Sequence, residues 1–129
     1  MKQLQGDQPC PCGRLDAKEH VLTYEHCCRP CLESGQNAAD AVSLMRSRYT
    51  AFVLEQERYL LSTWHVAHRP AGVDFDLQAK WLGLEVRASW QPDDGHAEVE
   101  FIARMSEAAL SRKRDVGITW MDVDGKHEV

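Results

Sequence analysis

All five cysteines of the chain, Cys10, Cys12, Cys27, Cys28 and Cys31, lie in its first quarter. A segment this short has too little apolar surface to hold a fold by itself, so it needs a cross-link. Disulfides suit it poorly, because the count is odd, two cysteines are adjacent and a reducing cytosol would open the bridges. Metal is the better reading. Cys10-Pro11-Cys12, then fourteen residues, then Cys27-Cys28 supply four thiolates from two short clusters, and four sulfurs in a tetrahedron is the closed coordination of structural zinc. Gly13 follows the first pair, where a residue tolerant of positive φ lets the chain reverse beneath the metal. The plainer alternative is a tail of reduced thiols. Cys31, His26 and His20 are further ligand candidates, each also readable as an ordinary loop residue.

The wider composition narrows the function classes. The chain has 129 residues, enough for one domain with a small appendage. No apolar run approaches the ~18–20 residues of a membrane span, and residues 1–9 lack the apolar stretch of a secretory signal. The expectation is a cytoplasmic protein without a membrane role. A formal net charge of −5 argues against a protein that coats nucleic acid, since such binding draws on a basic footprint.

Beyond the cysteines the pattern is helices first and strands after. Val42, Met45, Tyr49, Phe52 and Val53 recur at helical spacing over 41–53, with Asn37 or Asp40 able to cap the start and Arg46, Arg48 and Glu55 on the opposite, solvated face. A second helical piece over 57–64 presents Tyr59, Leu60, Leu61 and Trp64, and Pro70 bars its continuation. The period then changes to two. Leu82, Leu84, Val86, Ala88 and Trp90 alternate with Gly83, Glu85, Arg87 and Ser89; turn residues occupy 91–95; Ala97, Val99, Phe101, Ala103 and Met105 alternate again. That predicts an antiparallel hairpin. Residues 118–123 are expected to close the sheet, while 108–116, interrupted by Arg112-Lys113-Arg114, are expected as a solvated edge or loop. The fold class is α+β, with a cysteine-rich unit at 1–36 and an α+β domain at 37–129 whose core-forming positions lie beyond the cysteines.

Cys10-Pro11-Cys12-Gly13 followed by Cys27-Cys28 resembles the SEC-C zinc knuckle, and LMRSRYTAFV at 44–53, YLLSTWH at 59–65, WLGL at 81–84 and VEFIAR at 99–104 resemble successive blocks of the bacterial YchJ family. The resemblance covers about residues 10–125. It implies a SEC-C knuckle joined to a domain similar to nuclear transport factor two: a curved antiparallel sheet wrapped by helices around a cone-shaped cavity, with no biochemical activity attached. The chain departs from that pattern in having Arg14 where serine is usual, a longer loop between the cysteine pairs, and Cys31 where relatives tend to carry an aromatic. Within residues 1–129 there is no second cysteine cluster of the kind many relatives have, so a function that needs two zinc sites is not expected from the resemblance.

Such a cavity would gather Arg46, Tyr49, Trp64 and His65, with Glu100 a further candidate, His65 being the natural acid or base near neutral pH. The sequence supplies no nucleophile paired with a base, so no catalytic residue is assigned. His68, His96 and His127 have no companions that suggest a site. The favoured reading is a zinc-binding, non-catalytic module that engages a protein partner. A small-molecule binder or enzyme using the cavity is the alternative. Nucleic-acid or ribosome contact through Arg14, Lys18, His20 and Arg29 is the least favoured.

Overall fold

The computed structural model describes residues 3–64, 69–73, 75, 80–93, 96–106 and 112–122, of which 92–93, 96, 105–106 and 112–122 are described along the backbone alone. Their order is a short 3₁₀ turn at Tyr24–His26, α1 at Arg29–Glu33, α2 at Ala41–Val53, α3 at Glu57–Ser62, β1 at Lys80–Asp93, β2 at His96–Ser106 and β3 at Arg112–Asp122. The three strands form one antiparallel sheet in sequence order. This is the expected α+β arrangement. No helix among the described residues is long and apolar enough to cross a membrane.

Helix α2 begins where the sequence predicts, because Asp40 is extended and its carboxylate accepts the Ser43 N–H at 2.7 Å, satisfying one of the orphan donors of the first turn. It ends at Leu54, and Glu55 turns the chain with φ 57° into α3. Helix α3 stops at Ser62, two residues short of the predicted Trp64: Thr63 caps it, both its N–H and its hydroxyl donating to the Tyr59 carbonyl.

One face of α2 lies on all three strands. Tyr49 meets Trp81 edge-on with ring centroids 5.6 Å apart, and Phe52 bridges Trp81 and Phe75 at 5.8 and 6.4 Å; such pairs add ~0.5–1.5 kcal/mol beyond the area they bury.

Two sequence expectations need correction here. First, Arg48 is only 4% exposed, not on a solvated face. Its guanidinium donates to the Leu60 carbonyl at 2.9 Å and to Thr63 Oγ1, and it lies 5.2 Å from the centre of the Trp64 ring. The helical period marked 48 as polar and therefore outward, but the end of α3 offers acceptors that helical periodicity cannot register. Second, β1 does not alternate without break. Irregularities in the register between Trp81 and Gly83, and between Val86 and Ala88, shift its phase, so Trp81, Leu84 and Val86 pack on the core while Leu82 and Trp90 are 50% and 41% exposed. A bulge inserts one residue and moves every later side chain to the other face.

The segment expected as a solvated edge or loop divides similarly. Residues 108–111 lie outside the described residues, but Arg112 onward is strand, with Arg112, Lys113 and Arg114 opposite Ser106, Met105 and Arg104. Among the described residues it is an edge strand. An outer ladder needs only backbone donors and acceptors, so the missing apolar alternation did not prevent it.

The core runs across the expected boundary at 36/37. Cys10, Cys12, Tyr24 and Cys28 belong to the same buried cluster as Ala41, Met45, Tyr49, Leu54, Val99 and Ala103, so the core-forming positions are not confined to residues 37–129.

Candidate metal centre

The cysteine-rich segment is a folded ladder. Tyr24 N–H donates to Gln8 O, Cys10 N–H to Leu22 O and Leu22 N–H to Arg14 O, all at 2.8–2.9 Å, and two antiparallel bridges pair Pro9 with Thr23 and Leu15 with Val21. Between its two legs the Cys-Pro-Cys-Gly run bows out as a tight turn, closed by the Gly13 N–H on Cys10 O at 3.0 Å with Gly13 at φ 73°. The expectation for Gly13 is met. At the far tip Asp16 Oδ1 accepts from the Lys18 and His20 N–H groups at 2.8 and 3.0 Å, and Glu19 takes φ 63°; an aspartate that caps its own turn accommodates the longer loop.

The second pair comes from the junction of two helical pieces. Cys27 closes the 3₁₀ turn and Cys28 opens α1, with Pro30 in its first turn where a missing N–H is harmless. Tyr24, fully buried, fixes the junction by donating its hydroxyl to Glu33 at 2.8 Å.

These supports bring four sulfurs together. The Sγ atoms of Cys10, Cys12, Cys27 and Cys28 all lie within 4.8 Å of one another, with Cys12 to Cys27 at 3.5 Å and Cys27 to Cys28 at 3.8 Å. A tetrahedron of sulfurs ~2.3 Å from a zinc ion has edges of ~3.8 Å, so the cluster has the dimensions and donor chemistry of a four-thiolate site. Cys10, Cys12 and Cys28 are buried and Cys27 is half-buried. Among the described residues neither Cys31 nor His20 nor His26 joins the group. Cys31 is half-buried on α1 and its thiol is pushed up by burial. His26 is exposed and faces Glu25 at 3.5 Å.

The thiols perturb one another strongly. Hydrogen bonds from Cys12, then Cys27 and Cys28, pull Cys10 far below the usual thiol range. Cys10 pushes Cys12 up, but Cys27 and Cys28 outweigh it and hold Cys12 at about 7. Cys27 and Cys28 are pushed above the ordinary range, first by Cys10. A metal bound here would need all four sulfurs as thiolates and would have to displace the protons held by Cys27 and Cys28.

The pocket candidates are dispersed to other tasks. Arg46 is partly buried and donates from Nη1 to the Cys12 carbonyl at 2.8 Å. Tyr49 is 3% exposed within the core, and burial raises its hydroxyl to about 12. Trp64 stacks beneath Arg48, and Glu100 is exposed on β2. His65 lies outside the described residues.

Sequence reasoning missed Thr50, which reaches the sulfurs from α2: its hydroxyl donates to Cys28 Sγ at 3.3 Å and lies 3.6 Å from Cys10 Sγ. It also missed Ser47, whose hydroxyl lies 2.7 Å from that of Tyr59 and ties α2 to α3. Nothing in the sequence singles them out: Arg46 and Arg48 flank Ser47, and helical spacing does not say that positions 47 and 50 turn inward.

Comparison with known proteins agrees with this architecture. Residues 40–115 match the family described as YchJ, middle NTF2-like domain. A UPF0225 protein of Polaromonas naphthalenivorans is 48% identical over 130 residues, spanning 91% of this chain and 96% of its own length. One from Bordetella pertussis is 44% identical over 126 residues, covering 90% of each. Two solved structures are similar: a SEC-C motif containing protein from Psychrobacter arcticus, at 29% identity and TM-score 0.74 over 91% of this chain and 73% of that one, and another from Rhodopseudomonas palustris, at 28% and 0.70 over 89% and 88%. With its four-cysteine cluster leading into an α+β domain that matches over 40–115, the chain belongs to the UPF0225 family and carries the NTF2-like domain of YchJ.

Proposed function

We propose that the protein holds one zinc ion on Cys10, Cys12, Cys27 and Cys28 as a structural centre, and that it works by recognising a protein partner. The observation that carries the zinc reading is the mutual approach of four sulfurs within 4.8 Å in a largely buried setting. Zinc would supply rigidity to a segment with little core of its own. Four thiolates leave no coordination position for a reacting water, so the centre suits structure and display.

What the knuckle displays favours protein. Leu15 and Val21 face each other across their bridge and are 53% and 45% exposed. The basic face considered for nucleic acid is weaker than its composition suggests: Arg29 pairs with Glu33 at 3.2 Å, Arg14 donates to Ser43 at 3.0 Å, and Lys18 sits between Asp16 and Glu19.

Elemental analysis of protein purified without chelator is expected to show about one zinc per chain. Cys27→Ser should lower that sharply and Cys31→Ser should leave it unchanged. Partner capture should fail with Leu15→Asp and survive His65→Ala. A metabolite whose conversion His65→Ala abolishes, with zinc content intact, would replace recognition by enzymology in the NTF2-like domain.

A further inference from the structure

The sulfur cluster is not built by the cysteine segment alone. Two turns of α2 enclose it from the other side. Arg46 clamps the Cys12 carbonyl at 2.8 Å, and Thr50, one turn later on the same face, is 0% exposed with its hydroxyl against two sulfurs, Cys28 at 3.3 Å and Cys10 at 3.6 Å. A threonine within a helix ordinarily returns its hydroxyl proton to the carbonyl four residues earlier. Thr63, at the C-cap of α3, makes the same bond on Tyr59 O at 2.8 Å, whereas the Thr50 hydroxyl donates to sulfur.

We infer that Thr50 is a positioning residue of the metal centre, donating its hydroxyl proton to the ligand thiolates of Cys28 and Cys10, so that metal occupancy and the packing of α2 depend on each other. The inference rests on the zinc reading. When four thiolates surround a divalent ion the site carries net negative charge, and burial removes the water that would otherwise stabilise those sulfurs. A fixed donor takes water's place. The hydroxyl has a single proton, and with Cys10 unable to donate once it is a thiolate, both sulfurs compete for that proton. Donors around metal ligands commonly change affinity by roughly 10–100-fold when removed. Because Thr50 lies inside the 40–115 match, the cysteine segment and the NTF2-like domain share one centre.

The test uses the full chain, loaded with cobalt(II) as a spectroscopic probe and titrated against a chromophoric chelator. Thr50→Val keeps the shape and deletes the hydroxyl; it is expected to weaken cobalt affinity roughly 10–100-fold and to shift the sulfur-to-cobalt charge-transfer band to lower energy, since an unbonded thiolate is easier to oxidise. Thr50→Ser, which retains the hydroxyl, should restore both. If Thr50→Val does not fold, Thr50→Ala carries the same comparison. Wild-type affinity and band in Thr50→Val or Thr50→Ala would overturn the inference, as would a loss in Thr50→Ser equal to that in Thr50→Ala, which would trace the effect to packing of the methyl group. A wild-type chain that shows no thiolate-to-cobalt band at all would overturn the zinc reading, and this inference with it.

Discussion

Arg46, in the second turn of α2, donates from Nη1 to the backbone carbonyl of Cys12 at 2.8 Å, bridging 34 positions of sequence. The bond ties the apex of the cysteine turn to the helix that carries the main core. Arg46→Met should loosen that turn. Leaving a buried carbonyl unpaired costs ~1–3 kcal/mol, but the buried Nε of Arg46 has no hydrogen-bond partner among the described residues, so its removal offsets part of the loss. A net weakening of about 1 kcal/mol, roughly fivefold in metal affinity, is expected in a chelator competition.

Gly13 and Gly35 make a matched pair. Both have positive φ, 73° and 69°, and a Cβ on either would meet nothing within 4 Å. Alanine at either position therefore pays only the backbone cost of ~1–2 kcal/mol. Gly13 shapes the turn between Cys10 and the helix-borne sulfurs, whereas Gly35 ends α1. Both variants should lose similar thermal stability, and only Gly13→Ala should lose metal affinity; equal affinities would show that the turn does not place Cys12.

A chain truncated to residues 37–129 should be strongly destabilised. Cys10, Cys12, Tyr24 and Cys28 cover part of the cluster that includes Ala41, Met45 and Tyr49, and exposing buried apolar surface costs ~25 cal/mol per Å². Arg46 and Thr50 would also lose their partners. Thermal unfolding of the truncated chain at the full-length temperature would show instead that the domain is self-sufficient.

Stability of the metal-loaded protein should fall above about pH 10. Burial raises Tyr49 and Tyr59 to about 12, and burial together with Glu33 raises Tyr24 still further. Each hydroxyl keeps its proton in the fold after the unfolded chain has lost it, so the unfolded state binds fewer protons and stability declines as pH rises, by roughly 1.4 kcal/mol for each unit of separation. Arg48, which burial lowers to about 10, works in the opposite sense, because there the unfolded chain holds the proton longer. Three tyrosines against one arginine leave a net loss. Chemical denaturation at pH 8 and pH 11 measures it, and an equal or higher stability at pH 11 would contradict the balance.

Elements with local signals are legible in the residues alone. Asn37 or Asp40 before an apolar period marked the start of α2, and Asp40 caps it; Gly13 after Cys-Pro-Cys marked a positive-φ turn, and alternation on either side of residues 91–95 marked the hairpin of β1 and β2. The clustering of cysteines pointed, for the same reason, to four sulfurs that could hold a metal, since ligand chemistry is written in residue type and spacing. Which polar residues turn inward follows from how the elements pack. Arg48 is buried because the end of α3 offers it acceptors, Thr50 faces the sulfurs because α2 packs against the knuckle, and Leu82 and Trp90 are exposed because two bulges reset the phase of β1. A helical or strand period records which side of an element is apolar, but it holds no information about what distant part of the chain will cover the other side. That depends on contacts between residues 12 and 46, or 28 and 50, which exist only after the chain has folded.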